Sequence, residues 1–483
     1  MNDDLHRILL KGGVTSPGEL KDIILMLETA GLKEVYFGSR QDLLFPLKDA
    51  HEEAKLEQLS AFNTAIITNR ACQNIVCSYV SADIFGMTYW LKGSTYLYIL
   101  EGFDYQPLLK INITDPKQRL VPLFSGNLNF IASESEDYWY LSIKLPHWKT
   151  ADFYPVLIYS WDITTVSKTI ETVYEDIVDV AELFFVVNKK VATNNKVLDT
   201  PLEVPYLTFP YYEGMNRMGL DKYWLGLYWR NNRYDLSFLK EFCGFCLDNS
   251  IGKICITPWK SFIVKGIKQE KRPDLERFLG RWGINIRHSQ LEMNWHVPVD
   301  DTDALALKKF LVGSFDQNDI STYGLTFGIS SDEGKRSHFT SVLIEKNATP
   351  AIVKDFEVQP TYNVLHFKDF DPNSQKYIAY AQDVDKIELP GLLMELSKIY
   401  FKQLGAKKEK IVQPKAIKTN INSAIHQCSS CLTVYDQRIG DLIASIPAST
   451  SFASLPDSYQ CNVCGAGKEN FLLLDLEVSI GFN

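Results

Sequence analysis

The spacing of hydrophobic residues near the start of the chain predicts an amphipathic helix followed by two strands. Leu20, Ile24 and Leu27 recur at the i, i+4 and i+7 positions of one buried helix face. Residues 35–45 (VYFGSRQDLLF) then consist of two apolar segments around a polar turn, which predicts strand, turn and strand. The same succession returns at residues 254–264 (ICITPWKSFIV), so the chain contains an internal repeat in which position 35 corresponds to position 254.

The repeat decides how one pair of cysteines is interpreted. Cys243 and Cys246 have the spacing of a redox or metal-binding turn, but Ile24 and Leu27 take their places in the aligned copy. Free cysteine packs as a small hydrophobic residue. We therefore expect both thiols in the core.

A turn before the helix is predicted in both copies. Gly12-Gly13 aligns with Asn231-Asn232, and glycine and asparagine are the residues that most readily adopt left-handed backbone conformations. Each copy is therefore expected to contain a strand, a turn, a helix and a pair of strands.

The remaining patterns predict sheet core, one helix and a linker. Residues 89–105 and 137–162 are rich in large aromatic and apolar residues, which we interpret as half-buried strands. Residues 389–403 (LPGLLMELSKIYFKQ) predict a closing helix with Pro390 in its first turn. Residues 402–424 are lysine-rich and without clear periodicity, which is typical of a linker.

Composition narrows the class of protein. With 483 residues and 46% hydrophobic content, the chain is long enough for two to four globular units. A net charge of −9 argues against a general nucleic-acid or membrane binder, because phosphate binding needs clustered positive charge. Nine cysteines without a secretory signal or a long apolar run favour free thiols or metal ligands in the cytoplasm.

Four cysteines near the end of the chain form two Cys-x-x-Cys pairs. Cys428 and Cys431 form the first pair, Cys461 and Cys464 form the second, and the segment 432–460 lies between them. Two such pairs can surround one ion with a tetrahedron of thiolates, which suits iron or zinc. Zinc ribbons usually have a shorter spacer of about 15–20 residues. The spacing therefore favours iron, with a structural zinc site as the alternative.

Residues 426–472 resemble rubredoxin. Beyond the cysteine pairs and their spacing, the resemblance rests on Tyr435, Gly440, Asp441, Thr450, Phe452, Leu455, Pro456, Tyr459, Gly465, Gly467, Lys468 and Phe471. It implies one iron atom held by Cys428, Cys431, Cys461 and Cys464, which changes between the ferric and ferrous states. It also implies a small aromatic core beneath the metal.

Several positions depart from the residues that rubredoxins usually carry, but no ligand is lost. Leu432 replaces the glycine after the first pair, and a leucine resists positive φ. Ala448-Ser449 replaces Pro-Gly, Tyr459 replaces the core tryptophan, and Asn462 replaces a proline. We expect a reshaped first turn and an altered reduction potential.

Residues 1 to about 400 resemble the nitrite and sulfite reductase family. The resemblance is carried by residues 7–45, by their repeat copy with Thr257-Pro258-Trp259, and by residues 71–81 (ACQNIVCSYVS). It implies a pseudo-twofold α/β scaffold of ferredoxin-like half-domains, whose relatives hold sirohaem beside a [4Fe–4S] cluster.

The metal-binding residues of that family are incomplete here. No cysteine occurs between Cys255 and Cys428, where relatives have four cluster ligands. Residues 314–316 (SFD) stand where a second cysteine motif is expected, and Gln73 replaces the arginine beside Asn74. We therefore expect no [4Fe–4S] cluster and do not expect sirohaem.

Arg7 and Arg40 match basic positions of the reductase family. The resemblance implies that they can still bind a tetrapyrrole carboxylate or another anion. Ordinary salt bridges within the scaffold are the alternative and the favoured interpretation.

Together these features predict a rubredoxin-type one-electron carrier joined to a degenerate nitrite/sulfite reductase-like docking scaffold, without catalytic residues of its own. The expected partners are an electron-donating reductase and an acceptor such as an assimilatory nitrite or sulfite reductase. The alternatives are a sirohaem-binding reductase subunit fed by its own rubredoxin domain, and a structural zinc adaptor. The expected boundaries are 1–205 and 206–401 for the two repeats, 402–424 for the linker, 425–476 for the rubredoxin-like domain and 477–483 for a tail.

Overall fold

The chain forms two compact units, Met1–Gly405 and Ala406–Asn483, and each is described by itself. The computed structural model describes residues 5–47, 66–67, 71–284, 286, 292–330, 339–347, 352–353, 356–357, 359–374, 376–411, 425–441, 443–444 and 446–474. Within these ranges, no helix has the length and apolar character needed to cross a bilayer.

Helices and strands are mixed along the first unit, as the α/β class predicts. The α-helices are α1 (Pro17–Thr29), α2 (Gly93–Gly102), α3 (Ile163–Glu171), α4 (Val180–Lys190), α5 (Leu236–Asp248), α6 (Arg272–Arg281), α7 (Thr302–Gln317) and α8 (Leu389–Ile411). The first twelve strands are β1 (Leu5–Ile8), β2 (Val14–Thr15), β3 (Glu34–Phe37), β4 (Leu43–Pro46), β5 (Ile66–Ile67), β6 (Val76–Cys77), β7 (Ile111–Thr114), β8 (Leu128–Ala132), β9 (Tyr138–Ile143), β10 (Asp152–Phe153), β11 (Val156–Tyr159) and β12 (Asn195–Val197). They are followed by β13 (Gly214–Met218), β14 (Lys222–Leu227), β15 (Tyr234–Asp235), β16 (Lys253–Ile256), β17 (Phe262–Lys268), β18 (Trp295–His296), β19 (Phe327–Ser330), β20 (Val342–Lys346), β21 (Ile352–Val353), β22 (Phe356–Glu357), β23 (Thr361–Phe367) and β24 (Tyr377–Asp385).

The internal repeat is confirmed by the positions of these elements. Helix α5 begins and ends at the positions that the repeat aligns with the ends of α1, and β16 corresponds to β3 in the same way. Each helix starts at a capping residue: Ser16 Oγ accepts from the N–H of Glu19 at 3.1 Å, and Asp235 Oδ1 accepts from that of Phe238 at 2.9 Å. The two helices pack together, with Cys243 and Cys246 fully buried among apolar residues as expected.

Each repeat supplies one short strand to the sheet of the other. Strand β15 of the second repeat pairs with β3 of the first, in a five-stranded sheet of order β15-β3-β4-β1-β5. In return, β2 of the first repeat pairs with β16 of the second, in the sheet β13-β14-β17-β16-β2. The two repeats therefore form one compact unit.

The matching turns adopt the predicted left-handed conformation at three of their four positions, Asn231 being the exception. Gly12 and Gly13 both have φ of 64°, and Asn232 has φ of 56°. A second matched pair lies in the strand turns, where Gln41 has φ of 59° and Lys260 has φ of 58°. The repeat is therefore preserved in backbone conformation as well as in element order.

Two further sheets follow the repeated half-domains. One has seven strands in the order β12-β11-β9-β8-β7-β6, with β10 beside β9, and the other has the order β18-β19-β20-β23-β24. In each sheet the first three strands along the chain are parallel, β6-β7-β8 in one and β18-β19-β20 in the other. The next strand of each sheet pairs antiparallel with the third. Strands β21 and β22 pair antiparallel in a separate two-stranded sheet.

Part of the aromatic segment 89–105 is helix α2, so its assignment to a strand was wrong. Tyr96, Ile99, Leu100 and Phe103 are all buried and are spaced i, i+3, i+4 and i+7, which is the helical period. The second aromatic segment does contain strands β9 and β11, with Trp139 fully buried.

Helix α8 continues to Ile411, well past the expected start of the linker at 402. The added segment, KQLGAKKEKI, is rich in residues with high helix propensity, and the first proline after it is Pro414. Residues 412–424 of the expected linker and residues 475–483, which include the expected tail, lie outside the described residues.

Beyond the end of helix α8, the described part of the second unit is a small β domain. Strands β25 (Ile425–Cys428), β26 (Val434–Asp436) and β27 (Phe471–Leu474) form an antiparallel sheet in the order β26-β25-β27. Its core consists of Cys428, Tyr435, Leu455, Tyr459, Cys461 and Phe471, with Phe452 packed against it.

Candidate metal centre

The structure brings the four paired cysteines of the second unit together. Their sulfur atoms all lie within 4.8 Å of one another. Cys428 Sγ lies 3.7 Å from Cys464 Sγ, and Cys431 Sγ lies 3.5 Å from Cys461 Sγ. A tetrahedron with metal–sulfur bonds of about 2.3 Å has edges of about 3.8 Å. The four sulfurs therefore fit a single ion of the size of iron or zinc.

Two turns with the same backbone hydrogen bonds position these sulfurs. In the first, the N–H of Leu432 donates to the carbonyl of Cys428 at 2.8 Å. In the second, the N–H of Gly465 donates to the carbonyl of Cys461 at 2.8 Å. The two turns are therefore equivalent in their hydrogen bonding.

Leu432 adopts the left-handed conformation despite its side chain. Its φ is 63°, close to the 72° of Gly465 in the second turn. The Leu432 side chain is 67% exposed, so most of it is surrounded by solvent and not by protein atoms. The first turn therefore keeps the shape of the second, so the expected reshaping was wrong, and we interpret Leu432 as a source of local backbone strain.

The sulfurs differ in exposure and in electrostatics. Cys428 and Cys461 are buried, Cys431 is partly buried, and Cys464 is exposed. Desolvation opposes ionisation of Cys428, but the N–H groups of Cys431 and Ser430, together with the thiols of Cys464 and Cys431, outweigh it and lower the pKa of this thiol. Hydrogen bonds from the Thr433 hydroxyl and N–H lower the pKa of Cys431. The N–H of Ala466 stabilises the thiolate of Cys464, but desolvation and hydrogen bonds with the other three cysteines outweigh it and raise the pKa of this thiol to about 12. Cys428 and Cys431 therefore favour the thiolate, and the exposed Cys464 leaves one face of the site open to solvent.

Aromatic residues form the small core against which the cysteine turns pack, as the sequence predicts. Phe452 packs between Phe471 and the ring of His426, with ring centroids 5.3 and 4.0 Å away. Tyr459 takes the place of the usual tryptophan, and its hydroxyl donates to Asp441 Oδ2 at 2.8 Å. This hydrogen bond holds the tyrosine ring, which is smaller than that of tryptophan, in the core.

Arg7 and Arg40 lie in the first unit and contact the scaffold. Arg7 Nε lies 3.4 Å from Asp42 Oδ2. Arg40 donates to Asn112 Oδ1 and to the carbonyl of Asn74, both at 2.7 Å. Burial lowers the pKa of Arg40 to about 9. Both guanidinium groups therefore have protein partners.

Lys110 is a third cationic group that the sequence analysis missed. Desolvation, followed by the positive charges of Arg40 and Arg7, lowers the pKa of its amine. Arg40 donates to the carbonyl of the next residue, Ile111, at 2.9 Å, and this contact depends on the fold. We call Arg7, Arg40 and Lys110 the basic cluster. Gln73, in place of an expected arginine, accepts a hydrogen bond from Arg7 at 3.3 Å.

The cysteines of the first unit are ordinary buried thiols. Cys72, Cys77, Cys243, Cys246 and Cys255 are all buried. Burial raises the pKa of Cys243 to about 12 and that of Cys246 further. Among the described residues, no second group of three or more histidine, cysteine or acidic side chains is arranged to hold a metal.

Comparison with known proteins gives relatives for both units. Residues 425–471 match the family model for rubredoxin. They are similar to Rubredoxin-2 of Chlorobaculum tepidum, with 56% identity over 45 residues that cover 9% of this chain and 86% of that protein. Rubredoxin-2 of Desulfovibrio desulfuricans is 45% identical over 51 residues, covering 11% of this chain and 82% of the relative. The high molecular weight rubredoxin of Moorella thermoacetica is 44% identical over 54 residues, covering 11% of this chain and 24% of that protein.

The fold of the larger unit is similar to a solved structure. The NirA protein of Mycobacterium tuberculosis superposes with a TM-score of 0.64 at 13% identity, covering 81% of this chain and 79% of that one. This confirms the expected nitrite/sulfite reductase-like scaffold as a fold. Residues 425–471 are a rubredoxin domain, and through this domain the chain belongs to the rubredoxin family.

Proposed function

We propose that the rubredoxin domain carries single electrons on one iron atom held by Cys428, Cys431, Cys461 and Cys464. The observation that carries this proposal is the set of four sulfurs within 4.8 Å of one another, two of whose separations, 3.5 and 3.7 Å, match the edge of a thiolate tetrahedron. Iron bound there would supply a reversible one-electron change between the ferric and ferrous states.

The protein's own groups stabilise the charge of such a centre and limit its contact with water. The N–H groups of Ser430 and Cys431 face the sulfur of Cys428, where they disperse negative charge. The burial of Cys428 and Cys461 keeps water from one side. The exposed Cys464 leaves the other side open for a redox partner.

A metal and absorption analysis of the natively purified full chain tests this proposal against the structural zinc adaptor. We expect one iron per chain and a red protein whose sulfur-to-iron charge-transfer absorption bleaches with dithionite. Cys461→Ser should remove iron or shift the absorption, whereas Cys246→Ser, in the other unit, should leave both unchanged. Colourless protein from iron-replete cells with stoichiometric zinc would contradict the proposal, because zinc has no accessible one-electron couple.

The partners that we propose are an electron-donating reductase and an acceptor reductase, such as an assimilatory nitrite or sulfite reductase. Support comes from the NirA-like fold of the larger unit, which we interpret as a docking scaffold. Stopped-flow mixing of the reduced chain with candidate reductases tests this. Reoxidation that is no faster than with an unrelated protein would contradict the assignment.

A second candidate function is a reductase subunit that binds a tetrapyrrole or another anion at the basic cluster. The specific observation in its favour is that Arg40 donates at 2.9 Å to the carbonyl of Ile111, the residue that follows Lys110. Against it, both arginines already bond to scaffold groups. Tetrapyrrole absorption after anaerobic reconstitution with sirohaem, and turnover of nitrite or sulfite, would establish it.

The domain boundaries and the compartment are part of the same proposal. We propose 1–205 and 206–401 for the repeats and 425–476 for the rubredoxin domain. The linker is proposed to follow helix α8 and to end at 424. The five cysteines of the first unit carry free thiols, and the other four are the proposed metal ligands, which supports a reducing compartment such as the cytoplasm. Mass spectrometry of thiol-labelled protein from intact cells would test the compartment.

A further inference from the structure

The two cysteine turns of the rubredoxin domain share a backbone but differ in one side chain. The N–H of Cys428 donates to the carbonyl of Thr433 at 2.8 Å, and the N–H of Cys461 donates to that of Ala466 at 2.8 Å. Thr433 and Ala466 are therefore equivalent positions, each the second position after the second cysteine of its pair. Only the first of them carries a hydroxyl.

That hydroxyl contacts a sulfur. Thr433 Oγ1 lies 3.1 Å from Cys431 Sγ, and the side chain is half-buried. A thiolate bound to a metal has no proton to give, so the hydroxyl must be the donor in this pair. Leu432 contributes indirectly, because its left-handed conformation turns the chain between Cys431 and Thr433.

We propose that Thr433 is a positioning residue that raises the reduction potential of the centre by donating an O–H···S hydrogen bond to Cys431. This inference rests on the proposed iron site. Gaining one electron makes the centre more negative, and a hydrogen bond to a ligand sulfur stabilises that extra charge. The hydroxyl keeps its proton throughout, so the ferric and ferrous forms differ by one electron only.

The effect expected of this bond is a threefold to tenfold change in the ferrous-to-ferric ratio at a fixed applied potential. For a one-electron couple, a tenfold change corresponds to about 59 mV. Without the hydrogen bond the thiolate is also a stronger electron donor, so the charge-transfer band should move to longer wavelength.

Voltammetry of the full chain with four matched variants tests the inference. Thr433→Val keeps the shape of the side chain but removes the hydroxyl, and should lower the midpoint potential. Thr433→Ser restores the hydroxyl and should return the potential towards the original value. At the equivalent position, Ala466→Ser should raise the potential, and Ala466→Val should change it less than Thr433→Val does.

The outcomes separate this inference from the iron proposal. The role of Thr433 alone is overturned if the wild-type chain has a reversible couple but the iron-loaded Thr433→Val variant has the same potential and spectrum. A wild-type chain with no couple would overturn both. If Thr433→Val does not load iron, the serine variants at 433 and 466 still give the comparison, and a potential unmoved by Ala466→Ser counts against the inference.

Discussion

The sulfur atoms of Cys431 and Cys461 lie 3.5 Å apart, although 30 positions separate them in the chain. Two of the six residues in the core of this domain are themselves cysteines of the site, Cys428 and Cys461. A domain of about 50 residues buries little apolar surface. Its stability should therefore depend on the bound metal.

Metal removal should unfold the rubredoxin domain and leave the larger unit folded. Without the ion, thiolate repulsion and loss of the cross-link between the two turns destabilise the domain. Hydrogen exchange with and without a strong chelator should show lost protection within 425–474 only. The Cys461→Ser variant should show the same pattern without chelator. Equal loss of protection in both units would contradict this expectation.

Leu432→Gly should stabilise the rubredoxin domain by up to about 1 kcal/mol. Glycine relieves the left-handed conformation of residue 432, although it also increases the entropy of the unfolded chain. Ile439 is exposed to a similar degree, at 66%, and serves as the control. Ile439→Gly should be neutral or destabilising in thermal unfolding. A loss of stability in Leu432→Gly would indicate that its side chain makes a stabilising contact.

Tyr459→Phe should destabilise the domain by about 1.5–3 kcal/mol, because the phenol donates to the carboxylate of Asp441. Tyr435 is the matched control, since its hydroxyl donates to the neutral carbonyl of Thr450 at 2.8 Å. Tyr435→Phe should therefore lose only about 1 kcal/mol. Thermal unfolding of the iron-loaded chain measures both, and the reverse order would contradict the assignment of Tyr459 as the stronger anchor.

Lys260→Met should stabilise the larger unit at pH 7 by up to about 4 kcal/mol, less the contribution of the hydrogen bond that the amine donates to the Val297 carbonyl, with a smaller gain at high pH. Burial, with a contribution from Lys308, lowers the pKa of Lys260 to about 7. The unfolded amine holds its proton up to about pH 10.5, so the wild type gains stability as pH rises from about 7 towards 10.5. Denaturant unfolding at pH 7 and 10 measures the difference, with Lys222→Met, on an exposed lysine, as the control. A pH-independent difference would contradict the expectation.

Cys243→Ser should destabilise the larger unit by about 1–2 kcal/mol without changing metal content. The thiol is fully buried among apolar residues, and a hydroxyl there lacks a suitable environment. Cys243→Ile, the residue at the aligned position of the other repeat, should be tolerated better than serine if the core can adjust to its volume. A loss of metal in either variant would instead indicate a second binding site.

Local patterns in the sequence predicted the repeated elements and the metal-site candidates well. The periodicity of Leu20, Ile24 and Leu27 gives helix α1, and the internal repeat transfers it to α5. The Cys-x-x-Cys spacing likewise brings the four sulfurs into one group. These features depend on contacts between near neighbours in the chain or on a known family pattern.

Features that depend on distant parts of the chain were not predicted. The pairing of β2 with β16 joins Val14 to Cys255, and the hydrogen bond from Arg40 to the carbonyl of Ile111 joins residues 71 positions apart. Helix α2 was a different kind of error, because its aromatic composition was given more weight than the helical spacing of its buried residues. The contact of Thr433 with its neighbouring sulfur depends on a side-chain rotamer.

Because the two repeats exchange strands β2 and β15, each half of the larger unit depends on the other to complete its sheet. A fragment ending near residue 205 would keep β2 with no acceptor sheet and leave β3 as an open edge. Two copies of one half could satisfy both needs by lending strands to each other. The present chain thus has the geometry of a strand-swapped homodimer whose subunits have become covalently joined, and separately produced halves should reassociate when mixed.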